Sequence, residues 1–270
     1  MKRLLVYMII KILILLFPVK IHSDTHNFKV NTVQLHTDKL PAGTEFTVLQ
    51  ISDLHSKVIG KDNKKLIQSI KNLNADIIVI TGDLIDRSTY NFNEILTLNK
   101  KISAFSTKIF FVSGNHEWGN PNYTYFLNGL RERNVTILNN QNTQITNEQI
   151  LAGIDDASTG HEDMEKALSG LGKGHYTLML SHTPTIIKKY KHIPADLILS
   201  GHTHGGQIRM PLIGAVVAPE QGFFPILDKG IFAIDENKYL YINSGLGTSL
   251  TPVRFLNKSQ ISFIRISNKR

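Results

Sequence analysis

From residue 28 onward, short apolar runs alternate with amphipathic stretches. FKVNTVQLH (28–36) has the period-two alternation of a half-buried strand, and EFTVLQIS (45–52), ADIIVITG (75–82), KIFFVSG (108–114), HYTLMLS (175–181) and ADLILSG (195–201) are short runs rich in β-branched or aromatic residues. Between them, residues 63–74 place Leu66, Ile67, Ile70 and Leu73 at helical spacing, and residues 93–105 do the same with Ile95, Leu96, Ile102 and Phe105. Strands alternating with helices predict an α/β sheet with covering helices. KYLYINSG (238–245) and SQISFIRIS (259–267) read as strands with no long helix between them, which predicts a second, largely antiparallel sheet.

The first 23 residues have a different pattern. Met1, Lys2 and Arg3 precede a 14-residue apolar run (4–17) broken once by Lys11. A membrane span needs about 20 apolar residues, so the run has the length of a signal h-region. The nearest cleavage site, with Ile21 and Ser23, is a poor A-x-A, so an uncleaved anchor competes with a removed signal. A buried core helix is the third reading, disfavoured because every face is apolar and the polar stretch HSDTHN (22–27) separates it from the domain. Residues 1–23 are therefore expected to be a signal or membrane anchor, and 24–270 one large domain on the extracytoplasmic side of a bacterial membrane.

Composition adds exclusions. With no cysteine among 270 residues, disulfides, thiolate metal sites and a cysteine nucleophile are ruled out, leaving His, Asp, Glu and Asn as metal-ligand vocabulary. The formal net charge is +8, but Lys2, Arg3, Lys11 and Lys20 supply +4 of it before residue 24, which weakens the case for a nucleic-acid partner. The run Lys57, Lys61, Lys64, Lys65 and Lys71 reads as a solvated helix face.

The candidate chemistry lies just after the apolar runs. Asp53 and His55 come after the first, Asp83 after the second, Asn115 and His116 after the third, His182 after the fourth, and His202 and His204 after the fifth. Each alone has a plain explanation as a turn or cap residue. Together they put metal-capable side chains at one structural address five times, and in open α/β sheets ligands gather at the carboxyl ends of the strands. His22, His26, His36, His161, His175 and His192 lack this placement and read as surface or structural.

The ordered set D-x-H (Asp53, His55), GDLIDR (82–87), GNHE (114–117), a single His182 and GHTH (201–204) resembles the calcineurin-like metallophosphoesterases. The resemblance implies a two-sheet αββα sandwich with a dinuclear metal site at the strand ends. It further implies that Asp53, His55 and His204 hold one metal, Asn115, His182 and His202 a second, and that Asp83 bridges them. Two divalent ions, Mn, Fe or Zn, are the implied cofactors. His116 is similar to the family's general acid, Asp86 to the carboxylate that orients it, and Arg87 to the phosphate-clamping arginine of the protein phosphatases, although Ser88 stands next where that branch has glycine; a surface ion pair is the competing role for Arg87. Residues two apart point to the same side of a strand, so splitting His202 and His204 between two metals requires the chain to leave strand geometry there, which Gly205 and Gly206 allow.

GGQIRMP (205–211) and NSGLGTSLTPVRF (243–255) are similar to a bacterial branch of membrane-associated phosphoesterases, the YkuE/YaeI-type proteins, with relatives acting on the pyrophosphate of UDP-diacylglucosamine. The other pyrophosphatase branch has Arg where His116 stands. The expectation is a phosphodiesterase or pyrophosphatase acting on a lipid-linked or nucleotide phosphate ester, with the membrane surface as a partner and no nucleic acid. A phosphomonoesterase or protein phosphatase, and a non-catalytic scaffold, are the alternatives; a complete ligand set with His116 argues against the scaffold.

Overall fold

The computed structural model describes residues 2–106, 108–172, 174–249 and 251–268, with the side chains of α1 described at Tyr7, Lys11 and from Leu15 onward. Helix α1 (Lys2–His26) leads into β1 (Phe28–His36), β2 (Glu45–Ile51), α2 (Lys64–Leu73), β3 (Ile77–Thr81), α3 (Asn93–Ser103) and β4 (Ile109–Val112). Then come α4 (Asn115–Trp118), α5 (Tyr123–Arg131), β5 (Val135–Ile137), β6 (Gln141–Gln144), β7 (Gln149–Gly153), α6 (Met164–Ala167), β8 (Tyr176–Leu180), α7 (Ile186–Lys189) and β9 (Leu197–Ser200). Next are two small hairpins, β10 (Arg209–Met210) with β11 (Gly214–Ala215) and β12 (Val217–Ala218) with β13 (Gly222–Phe223). Strands β14 (Gly230–Asp235), β15 (Lys238–Ile242) and β16 (Ser259–Ser267) complete the chain.

Two six-stranded sheets result, ordered β1-β16-β2-β3-β4-β5 and β14-β15-β9-β8-β7-β6. Side-chain alternation explains why the central strands read as continuous apolar runs. In β3, Ile77 and Val79 pack between the sheets while Ile78 and Ile80 pack beneath α2, α3 and α5. In β9, Leu197 and Leu199 face the first sheet and Ile198 faces the layer containing α6 and α7. Both faces are covered, as parallel strands require, and the fold is a four-layer αββα sandwich. Full burial of a side chain such as Phe111 contributes about 1.5–3 kcal/mol.

The sheets differ from the expected division. Both are mixed: β15 runs parallel to β9 and antiparallel to β14, and β16 inserts into the first sheet, parallel to β1 and antiparallel to β2. Strand periodicity in 238–245 and 259–267 specifies a pleated surface but carries no information about the partner. The polar stretch 22–27 also departs from its reading as a separator, because α1 runs through to His26 and buries Asp24 and Thr25. Asp24 accepts a hydrogen bond from the backbone N–H of Asn257, and Thr25 Oγ1 one from that of Arg254. Met1 and the side chains of Lys2 and Arg3, the basic start of the expected signal, lie outside the described residues. Among the described residues no helix is long and apolar enough to cross a membrane.

Candidate metal centre

The carboxyl ends of β2, β3, β4, β8 and β9 meet at one rim, and the turns leaving them are bent sharply. Asp53, His55, Asp83, His202 and His204 all have left-handed backbone, with φ of 50°, 51°, 53°, 70° and 52°. Each such residue costs roughly 1–2 kcal/mol, and short polar side chains tolerate it best. Strain repeated at five neighbouring positions is the pattern of a functional site. Gly82 has φ of 83°, and a Cβ there would lie 2.6 Å from His182 Nδ1 and 2.8 Å from the Gly114 nitrogen. Only glycine lets these loops approach so closely.

The side chains converge in groups. Asp53, His55 and His204 form one, and Asp83, His182 and His202 another, with ligand-type atoms within 4.8 Å of one another in each. His55 Nε2 is 3.1 Å from His204 Nε2, and His202 Nδ1 is 3.1 Å from His182 Nε2. Asp83 Oδ2 lies between the groups, 3.2 Å from His182 Nε2 and 3.7 Å from His55 Nε2. Asn115 Oδ1 is 3.2 Å from His182 Nε2. The fold thus brings all seven ligand candidates together, and the left-handed backbone at His202 and His204, ahead of the 3₁₀ turn His204–Gly206, lets the two go to different groups.

Donor chemistry fits a pair of cations. His182 Nδ1 donates to the Thr81 carbonyl at 2.8 Å and His55 Nδ1 to Asp86 Oδ1 at 2.7 Å, which aims each Nε2 at the centre as the atom available to a metal. Burial would lower the His182 and His55 rings, but Asp83 at His182 and Asp86 with Asp83 at His55 outweigh it and raise both above the usual histidine range, so in metal-free protein their Nε2 protons stand where a divalent ion would replace them. Burial, with His55 and Arg254 nearby, holds His204 well below the usual histidine range, so it is neutral and available as a ligand. Burial alone would raise the Asp83 carboxyl, but His182, His55 and His116 outweigh it and hold it well below its usual value. Oxygen and imidazole donors without thiolate suit Mn, Fe or Zn.

His116, Asp86 and Arg87 sit over this cluster. His116 is partly exposed, its Nδ1 3.2 Å from Asp86 Oδ1 without the alignment of a hydrogen bond, and its backbone N–H donates to Asp83 Oδ1 at 3.0 Å. Burial would raise the Asp86 carboxyl, but the rings of His116 and His55 outweigh it and hold it low. Arg87 makes no ion pair among the described residues; it lies against Gly119 and lines a cavity of 350 Å³ with Asp83, Asn115, His116 and His202. A larger hollow of 720 Å³, around Lys39, Asp196 and Lys238, lies at the amino end of β9 and holds none of the candidate residues.

Three residues with structural roles here escaped the sequence reading. Glu117, fully buried, accepts from the N–H groups of Asp83, Leu84, Ile85 and Gly114, tying two ligand loops together. Burial and the Asp83 charge push it up to about 7, with the Gly114 and Asp83 N–H groups pulling the other way. Its spacing from Gly114, the N-cap of α4, is that of a capping box, a signal legible in GNHE. Arg254, fully buried, donates to the carbonyls of Gly247, Ser244 and His204. Glu220, at the tip of the β12–β13 hairpin, brings Oε1 to 3.5 Å from His202 Nε2 and accepts from Thr185 Oγ1 at 2.9 Å. No local pattern announces it.

Known proteins share this chain's sequence over most of its length. The uncharacterized metallophosphoesterase YkuE of Bacillus subtilis is 29% identical over 256 residues, 92% of this chain and 88% of the relative. YkoQ of the same organism, also an uncharacterized metallophosphoesterase, is 30% identical over 260 residues, 93% and 94% of the two chains. A transmembrane protein with metallophosphoesterase domain from Bos taurus is 30% identical over 255 residues, 86% of this chain and 56% of that protein. The model of the calcineurin-like phosphoesterase family matches residues 46–206, the span that carries all five motif blocks, and the chain belongs to that family of metal-dependent phosphoester hydrolases.

Proposed function

We propose that this hydrolase is a membrane-proximal phosphodiesterase or pyrophosphatase acting on a lipid-linked or nucleotide phosphate ester, with a UDP-diacylglucosamine-like pyrophosphate among the candidates. The observation that carries the reading is the pair of ligand groups joined through Asp83, opening into the cavity that His116 and Arg87 line. In it, Asp53, His55 and His204 would hold one cation and Asn115, His182 and His202 the other, with Asp83 as the carboxylate common to both. Bound there, the ions supply Lewis acidity and a nucleophile at neutral pH.

The chain's own groups do the remainder. Arg87 offers its guanidinium to a non-bridging phosphoryl oxygen. His116 stands at the cavity wall, placed to give a proton to the departing alkoxide or phosphate oxygen. Asp86 positions His116 and, through Nδ1, fixes the tautomer of His55. Residues 1–23 act as signal or anchor for the domain 24–270 and place it at an extracytoplasmic membrane face, a reading supported by the apolar run and by a relative that is itself named a transmembrane protein.

The test is hydrolysis of bis(p-nitrophenyl) phosphate by metal-loaded protein. Asp83→Asn and His116→Ala are each expected to lower kcat by about 100-fold or more. Full activity in both variants overturns the assignment, and comparison with p-nitrophenyl phosphate separates diesterase from monoesterase.

A further inference from the structure

Twenty large apolar side chains are exposed among the described residues, and eight of them fall between residues 208 and 226. That stretch forms the two hairpins, joined where the Val216 N–H donates to the Ile208 carbonyl and the Phe224 N–H to that of Val216. At the first tip Leu212 is fully exposed with φ of 68°, beside Ile213; Met210, Phe223, Phe224 and Ile226 are each at least half exposed. A turn position with positive φ favours Gly, Asn or Asp. Leucine there adds backbone strain to apolar exposure, and clustered apolar surface of this kind marks a contact with something apolar.

Two observations indicate a bilayer rather than another protein. Helix α1 reaches the same face: the Phe17 ring lies 4.8 Å from that of Phe255, and Phe255 pairs with Ile208 beside β10. The apolar residues of α1 thus continue into the hairpins. Charge agrees, since residues 1–23 carry four basic residues and no acid. Within 208–226 the ionisable residues are Arg209 and Glu220; Arg209 is paired with Asp228 at 2.6 Å and Glu220 turns inward toward His202. An apolar face whose own charges are paired or turned inward, beside a segment whose sequence carries Lys2, Arg3 and Lys11 while Lys20 pairs with Asp24, complements an anionic membrane surface.

The inner sides of the same hairpins line a cavity of 240 Å³, bounded by Ile208, Val216, Val217 and Ala218. It shares His204, Pro219 and Ser249 with the cavity over the metal centre. An apolar slot therefore opens beside the place where a phosphate would sit. We infer that the 208–226 hairpins and α1 form a bilayer-contacting face, and that the slot behind them takes the hydrocarbon chain of an amphiphilic phosphate ester whose phosphate reaches the metal centre. The choice of substrate rests on the phosphoesterase reading above; the membrane contact does not.

The absence of cysteine makes a single reporter possible. Full-length Leu212→Cys and Phe224→Cys, each carrying an environment-sensitive fluorophore, are mixed with vesicles of phosphatidylcholine and phosphatidylglycerol. Tyr125→Cys on α5, at the far edge of the first sheet, is the control. A blue shift at 212 and 224, quenched by nitroxide-labelled lipid and absent at 125, is the expected result. Equal behaviour at all three positions overturns the proposal, as does a shift that tracks protein concentration without vesicles, which would mark contact between copies. For the slot, wild type is expected to prefer dodecyl over methyl p-nitrophenyl phosphate by about tenfold or more, a preference that Val217→Trp removes. No preference in wild type overturns the slot. No turnover of either ester overturns the phosphoesterase reading instead, because the reporter at 212 registers membrane contact without turnover.

Discussion

Replacing Glu117 by Gln changes one atom, yet its carboxylate holds two ligand loops. Oε2 accepts from the Asp83 and Gly114 N–H groups and Oε1 from those of Leu84 and Ile85, at 2.8–3.2 Å. A Gln carbonyl keeps one pair, and its amide turns N–H donors toward the other. Two buried N–H groups losing an acceptor cost roughly 2–6 kcal/mol. An opposing effect operates in metal-free protein. There the rise of Glu117 from 4.5 to about 7 means that burying its charge already costs about 3 kcal/mol, which Gln removes. The two nearly cancel. With cations at Asp83 the carboxylate is favoured, the relief disappears, and the full loss of about 4 kcal/mol remains. For a chain of this size that is roughly 10 °C in Tm. The assay is thermal melting at pH 8 with and without Mn: metal is expected to raise the Tm of wild type much more than that of Glu117→Gln. An equal metal-induced rise in both proteins, or a Gln variant that melts with wild type in the presence of Mn, would refute the reasoning.

Glu220→Gln weakens the carboxylate behind His202, so affinity at the Asn115–His182–His202 position should fall by about tenfold in chelator competition; unchanged affinity would remove Glu220 from any positioning role. Lys57, half-buried and donating to the Leu246 carbonyl, is pulled down to about 8 by burial and by Arg254. Between about 8 and the free value of about 10.4 the unfolded chain holds more protons at this position, so its contribution makes stability rise with pH in that window. Urea midpoints of metal-free wild type minus those of Lys57→Met should therefore climb from pH 8 to 10; a flat difference would contradict the shift.

Residue order made the site legible because each candidate ligand stands a few positions beyond a run apolar on both sheet faces. Asp53 after β2 and His202 after β9 are 149 positions apart, yet the Asp53 carboxylate accepts the His202 backbone N–H at 2.9 Å. The supporting residues were hidden for a different reason. Glu220 meets His202 only because the β12–β13 hairpin folds back over the rim, and Arg254 reaches the His204 carbonyl from a loop between β15 and β16. Neither contact leaves a periodicity. The sheet assignment failed likewise at β16, whose alternation fits either sheet until β1 and β2 supply its two neighbours. In α1 the polarity of HSDTHN (22–27) suggested a separation from the domain, but Asp24 and Thr25 are satisfied by the backbone N–H groups of Asn257 and Arg254, which burial of polar residues demands.

Turnover of bis(p-nitrophenyl) phosphate, monitored as metal-free protein is titrated with Mn, joins the metal count to the chemistry. Two groups of ligand candidates with Asp83 between them, 3.2 Å from His182 and 3.7 Å from His55, predict activity that is absent without metal, saturates at two ions per chain and fails to appear in Asp83→Asn. Full turnover in metal-free protein, or a plateau at one ion per chain, would contradict the two-metal hydrolase.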